Sequence, residues 1–280
     1  MTNKKVLTLQ DISCYGQCSL TVALPIISAC GIETAILPSA VLSTHTGGFT
    51  GYTFTDLTDD IPKIREHWEK EGIKYDCFYT GYLGSTTQID YVKDLRRSVL
   101  NEGATFIVDP AMADNGNLYY GFDQTFVKKM AELCGTADYI LPNITEAAFM
   151  TDSELRLTGH TEDYVQMILD KLSALGAKKI ILKGISYEPD KIGVVVYDSV
   201  TKKVQNYFTD KIPKSSHGTG DCYAAAFTGA LVQGFDAYES AKIAADFVVE
   251  SIKKTMDDDN HSYGIKFEKA LPMLVSKINK

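Results

Sequence analysis

The sequence predicts an α/β fold, with a mostly parallel central sheet flanked by helices on both faces. Two observations carry this. Short β-rich runs alternate with longer stretches of helical spacing along most of the chain. Glycines (Gly31, Gly72, Gly103, Gly176) close several of the helical stretches, and an apolar run follows. Strands separated by helices at this spacing are most simply joined by crossover connections, which makes them parallel. The length of 280 residues suits one such domain, with two as the fallback.

The elements follow in order. Lys5–Leu9 reads as a strand ending at a polar turn, Gln10–Tyr15. Ser19–Cys30 is apolar and reads as a helix stopped by Gly31. Thr34–Leu37 is the next strand. Asp56–Lys70 has helical spacing and ends before Gly72. Asp76–Thr80 is a strand, followed by Gly81–Ser85 and a helix through Leu100. Thr105–Val108 is a strand running into Asp109-Pro110, and Asp138–Leu141 one running into Pro142-Asn143. Tyr164–Leu175 is helical, Lys179–Leu182 is a strand, and Gly193–Asp198 with Lys203–Phe208 alternates like a hairpin. Thr219–Val232 is an Ala-rich helix, with two more helices after it. The acidic run Asp257–Asp259 reads as a solvated helix end.

Composition excludes several classes. There are 28 basic and 36 acidic residues, a net charge of -8, which opposes non-specific nucleic-acid binding. Hydrophobic content of 45% and charged content of 23% argue against disorder. No stretch approaches the roughly 20 apolar residues that cross a bilayer, so no membrane partner is expected. The N-terminal apolar run is too short for a signal peptide. Six cysteines without a C-x-x-C pair read as reduced, mostly buried thiols, and a cytoplasmic location is expected.

In open parallel sheets, ligands bind outside the carboxyl ends of the strands. The polar clusters just after the strands should therefore converge on one edge: residues 11–15, 43–48, 81–85, 109–114, 143–146 and 183–184. The densest motif is Gly218-Thr219-Gly220-Asp221, entering the Ala-rich helix. Its glycines allow close backbone approach, and the N–H groups at the helix N-terminus favour an anion such as phosphate. Asp221 is then either a simple first-turn cap or a general base that takes the proton from an attacking hydroxyl. Neither a P-loop nor a dinucleotide fingerprint is present. Asn143 and Glu146 have the spacing of a helix cap; the functional reading puts Glu146 near magnesium and Asn143 near phosphate oxygens. Asp109 is either a turn-forming residue or a neutraliser of phosphate charge through a cation. Lys183 is either surface or a phosphoryl contact. Ser13, His45, Thr46 and Tyr82 are weak candidates one by one.

Together these motifs resemble the ribokinase-like superfamily: Gly218-Thr219-Gly220-Asp221 near the C-terminus, Pro142-Asn143-x-x-Glu146 in the middle, and Asp109-Pro110-x-x-x-Asp114 before it. Gly81-Tyr82-Leu83-Gly84-Ser85 and Ser43-Thr44-His45-Thr46-Gly47 resemble the pyridoxal kinase branch. The resemblance runs from about Val6 to beyond Leu231. It implies an ATP-dependent kinase acting on the 5′-hydroxymethyl of pyridoxal, pyridoxine or pyridoxamine. Asp221 matches the catalytic base, and Gly218, Thr219 and Gly220 the anion hole. Asn143 and Glu146 match the phosphate and magnesium region, Asp109 an acidic residue near ATP phosphates and cations, and Lys183 a phosphate-side position. Ser13, Thr46 and Tyr82 match positions that hold the pyridine ring, with His45 in the same segment. The resemblance further implies Mg2+, in many members K+, and a homodimer. Thr44 stands where the branch usually has Asn, and Gly47-Gly48-Phe49 where a Tyr often follows, both on the ring side. The rival readings are hydroxymethylpyrimidine kinase of the same superfamily and a non-catalytic vitamer-binding protein on the same fold.

Overall fold

The computed structural model describes residues 4–213, 216–258 and 260–279; within the acidic run 257–259, Asp259 lies outside the described residues. The chain opens with β1 (Lys5–Ser13), α1 (Leu20–Ala29), β2 (Glu33–Leu42) and β3 (Phe54–Asp56). A short 3-10 turn (Thr58–Asp60) leads into α2 (Ile61–Lys70), β4 (Tyr75–Thr80), α3 (Thr86–Ser98) and β5 (Leu100–Val108). The small pair β6 (Ala113–Asp114) and β7 (Asn117–Leu118) precedes α4 (Gln124–Cys134), β8 (Tyr139–Ile140), α5 (Ile144–Met150) and α6 (Glu162–Ala174). Then come β9 (Lys179–Ile185), β10 (Lys191–Asp198), β11 (Lys203–Asp210), α7 (Thr219–Gln233), α8 (Ala237–Lys253) and α9 (Leu271–Ile278).

Nine of these strands form one sheet, in the order β11-β10-β9-β8-β5-β4-β1-β2-β3. From β2 through β9 every neighbouring pair is parallel. The hairpin β10–β11 and the short β3 close the two edges in antiparallel fashion. The fold class expected from the sequence is the one found.

Side chains alternate across the central strands, as a two-residue period requires. Phe78, Phe106, Val108, Ile180 and Leu182 face one core, which α3, α4 and α6 also enter. Val6, Cys77, Tyr79, Ile107 and Ile181 face the other, against α1, α7, α8 and α9. Both faces are apolar because both are covered, so these strands read as continuous hydrophobic runs. Burying each large side chain contributes about 1.5–3 kcal/mol.

Some boundaries differ from the sequence reading, for reasons of pairing. β1 does not stop at Leu9. It continues through the expected polar turn to Ser13, because Ile12 and Ser13 pair with Val41 and Leu42 after a register shift. β5 begins at Leu100, where a helix end was expected, because Leu100 pairs with Tyr75. The helical pattern from Asp56 holds only from the 3-10 turn onward, since Phe54–Asp56 is drawn onto the edge of β2. The six cysteines are all free, and four of them are buried. No helix among the described residues is long and apolar enough to cross a membrane.

Candidate active site

The sheet's order reverses at β1. Its neighbours are β2, reached through α1, and β4 on the other side. Helices on opposite faces leave a crevice at the strand ends there. The extension of β1 delivers Asp11 and Ser13 to that crevice. Both are buried, and the Ser13 hydroxyl donates to Asp11 Oδ2 at 2.9 Å. Burial raises the Asp11 carboxyl above its ordinary pKa, opposed by hydrogen bonds from Ser19 and Ser13.

The N-terminus of α7 lies across this crevice. Gly218 has φ 73°, and a Cβ there would sit 1.8 Å from the Gln17 carbonyl oxygen, so glycine is required. Three residues on, half-buried Asp221 accepts a hydrogen bond from the Ser19 backbone N–H at 3.0 Å. Ser19 itself has φ 55°, a costly conformation for a residue with a side chain. Burial pushes the Asp221 carboxyl up to about 7; the Ser19 N–H opposes this, while Asp109 and Asp11 add to it.

The third component comes from β5, β8 and β9. Lys183 Nζ donates to both oxygens of Asp109, at 3.1 and 3.0 Å. The two side chains are 13% and 4% exposed, so this is a buried pair and not the surface lysine that a strand-end position suggests. Burial disfavours the Lys183 ammonium, but Asp109, Glu146 and Asp221 outweigh that and hold its pKa above the usual value. A Cβ on Gly220 would lie 3.9 Å from Lys183 Nζ, which puts the ammonium beside the glycine turn.

Asn143 and Glu146 form a complete capping box on α5. The Asn143 side chain accepts from the Glu146 N–H at 2.9 Å, and Glu146 Oε2 accepts from the Asn143 N–H at 2.8 Å. Asn143 Nδ2 also donates to the Ala113 carbonyl at 2.8 Å, and Glu146 Oε1 accepts from the Met112 N–H at 3.3 Å. Burial, reinforced by Asp109, holds the Glu146 carboxyl well above its ordinary pKa. Asp109, Glu146 and Asp221 thus face a single ammonium. Among the described residues no group of three or more His, Cys, Asp or Glu forms a ready metal cage. An oxygen-donor set with excess negative charge still suits Mg2+, which keeps waters and takes further oxygens from phosphates.

His45, one of the weak sequence candidates, is buried. Its Nε2 donates to the Tyr263 carbonyl at 2.9 Å, while Nδ1 accepts from the Gly47 N–H at 3.1 Å. That pairing fits a neutral imidazole, and burial, with His217 adding to it, lowers its pKa. The His217 ring is 5.3 Å from that of His45. Thr46 is exposed. Tyr82 is half-buried and stacks on Phe122 at 5.6 Å. Burial, then the nearby Asp11, pushes its hydroxyl up to about 12.

Asp11, Ser19, His217 and Tyr263 were not singled out by the sequence. Asp11 alone carried a signal, as a carboxylate inside a strand-end cluster.

The match to known proteins follows this geometry. Residues 27–265 match the family model described as phosphomethylpyrimidine kinase. The chain belongs to that family. A Bacteroides thetaiotaomicron protein assigned as a phosphomethylpyrimidine kinase, crystallised with pyridoxal, is 35% identical with TM-score 0.92, covering 98% of this chain and 96% of that one. Pyridoxal kinase from Lactobacillus plantarum is 29% identical with TM-score 0.89, covering 98% and 97%. A Dictyostelium discoideum pyridoxal kinase is 27% identical over 240 residues, 80% of this chain and 77% of its own. This chain is therefore a kinase on the ribokinase-like fold that its motifs resemble.

Proposed function

We propose that the protein is a pyridoxal kinase, transferring the γ-phosphoryl of ATP to the 5′-hydroxymethyl of pyridoxal, pyridoxine or pyridoxamine. The observation that carries this is Asp221: a carboxyl held by the Ser19 N–H at the mouth of a glycine-bent helix, beside the Lys183–Asp109 pair. Asp221 takes the proton from the hydroxymethyl oxygen as that oxygen forms its bond to phosphorus and the bond to ADP breaks. The N–H groups at Gly218, Thr219 and Gly220, with the helix dipole, stabilise charge on the migrating group. Lys183 neutralises phosphate oxygens, and Asn143 meets them. Glu146 and Asp109 would hold magnesium through water, and the bound ion would neutralise phosphate charge. Ser13, His45, Thr46 and Tyr82 form the ring side.

The likeness to the pyridoxal-bound Bacteroides protein supports this reading. The family's name favours hydroxymethylpyrimidine phosphate chemistry as the second reading. A coupled ADP-release assay with pyridoxal, pyridoxine, pyridoxamine and hydroxymethylpyrimidine in parallel decides between them. Turnover of hydroxymethylpyrimidine alone overturns the proposal, and binding without ADP formation would point to a non-catalytic binder. Magnesium and potassium titrations in the same assay test the ions. The resemblance also supports a homodimer in the cytoplasm, the first tested by light scattering.

A further inference from the structure

The amino ends of the parallel strands hold a second cleft, on the edge of the sheet opposite the crevice. It encloses about 560 Å3 where β1, β4 and β5 begin and α7 ends. Small organic ligands are held in clefts of about 300–1,000 Å3. Roughly 20 Å of β1, at about 3.3 Å per residue, separates Lys5 here from Asp11 at the crevice.

An irregularity in β5 opens the cleft. Leu100 pairs with Tyr75, and the next pair is Thr105 with Cys77, so residues 101–104 bulge out opposite Asp76 alone. Gly103, with φ 74°, lets the backbone turn there. Bulges of this kind recur beside functional sites, where they re-aim side chains.

The charges around the cleft fall into two sets. Asp76 accepts from the Lys5 N–H and from Asn101 Nδ2, both at 2.8 Å, and the Lys5 ammonium lies 3.3 Å from Glu33. The other two lysines meet only neutral groups. Lys4 Nζ donates to the Val232 carbonyl at 2.7 Å, and Lys74 Nζ donates to the Ser98 carbonyl. Among the described residues neither ammonium has a carboxylate partner. Each carries three donors and keeps two after its carbonyl bond. Capping the carbonyls that end α7 and α3 uses one N–H of each lysine and needs no cleft. Leu231, Val232 and Ala104 add an apolar wall, and exposed Glu102 is an acid of the lining left unpaired. A chain of net charge -8 thus brings lysines from two distant segments to one cleft.

We infer that this cleft is a second ligand site, which takes an organic phosphate monoester. Lys4 and Lys74 make charge-assisted hydrogen bonds to the phosphate oxygens. The wall of Leu231, Val232 and Ala104 takes the organic body. Inorganic phosphate would engage the ammoniums and leave that wall bare. The site does not depend on which alcohol the crevice phosphorylates.

The test titrates phenyl phosphate and inorganic phosphate into the full chain by calorimetry. Phenyl phosphate should bind, and inorganic phosphate at least about tenfold more weakly, since it buries no apolar surface. Lys4→Gln combined with Lys74→Gln keeps an N–H for each carbonyl and removes both charges. It should weaken phenyl phosphate by at least about tenfold while Tm stays within a few degrees. Glu102→Gln should tighten binding about two- to fivefold by removing a like charge. Failure of phenyl phosphate to bind overturns the assignment. So does unchanged binding in the double lysine variant, which would place the bound probe elsewhere. Equal affinity for the two probes means an adventitious ion only and overturns it as well. A second measurement does not depend on any variant folding. In the wild type, phenyl phosphate should slow hydrogen exchange at the amides of residues 101–105, and unchanged exchange there overturns the proposal.

Discussion

The backbone N–H of Ser19 donates to Oδ2 of Asp221 at 3.0 Å, between positions 202 residues apart in sequence. This bond fixes the carboxyl on which the proposed proton transfer depends. It also gives a reason for the left-handed backbone of Ser19. A non-glycine residue in such a conformation costs about 1–3 kcal/mol and persists where surrounding structure imposes it. The side chain of the same serine also opposes the rise that burial imposes on the Asp11 pKa, so one strained residue bears on both carboxylates.

Replacing Asp221 by Asn should lower kcat by about 10²–10⁴-fold while ATP binding is retained. The group must be ionised to act. With its pKa pushed up to about 7, wild-type kcat/KM should rise with pH through that value and level off above it. A near-normal rate in the variant, or a flat profile from pH 5.5 to 8.5 (about 1.5 units on either side), removes Asp221 from its role.

The same variant should be more stable than the wild type. A carboxyl raised from 3.8 to about 7 binds its proton more tightly when folded, so folding stability falls as pH rises between those values. Above about 7 the folded protein carries the full cost of the buried charge; below about 4 it carries none. Asp221→Asn should therefore raise Tm at pH 8 and change it little at pH 4, as read by thermal melts at both.

The two glycines of the turn should separate stability from function. At Gly218, φ 73° and a Cβ 1.8 Å from a backbone oxygen make Gly218→Ala destabilising by about 2–4 kcal/mol. At Gly220 the added methyl meets only Lys183 Nζ, at 3.9 Å. Gly220→Ala should keep its Tm within a few degrees yet raise KM for ATP, because the methyl occupies the space between the ammonium and the incoming phosphates. Equal Tm losses for the two variants would contradict this.

Breaking the Asp109–Lys183 pair from one side should be worse than removing it whole. Lys183→Met leaves the buried Asp109 carboxylate without its cation and should cost about 3–5 kcal/mol, whereas Asp109→Asn should cost less, because Glu146 and Asp221 still face the ammonium. The double variant should lose less than the sum of the singles, as chemical denaturation would show.

Glu146→Gln replaces a carboxylate that accepts from two backbone N–H groups by an amide that cannot accept from both equally well. A loss of about 1–3 kcal/mol and a raised magnesium requirement are expected. An unchanged magnesium titration would leave Glu146 as a cap alone.

Much of this molecule could be read from its residues in order. The alternation of apolar runs and helical stretches fixed the fold class, since period and punctuation are local. Gly218-Thr219-Gly220-Asp221 was legible because both its conformational demand and its chemistry lie within four residues. Asn143 and Glu146 were legible as a cap for the same reason. The helix at Gln124–Cys134 and the strand at Phe54–Asp56 were not; the latter is three exposed residues held only by the edge of β2. The ends of β1 and β5 were misjudged because pairing partners, and not propensity, set them.

The sequence by itself determined which residues could do chemistry and that they follow strands. Only the tertiary structure decided that Lys183 is buried against Asp109, that Asp11 shares the crevice with Asp221, and that Tyr263 orients His45 from near the chain's end. The reason is physical. Periodicity and turn chemistry act over a few neighbouring residues, whereas burial, charge pairing and the pKa values they set depend on which distant strand ends the sheet brings together.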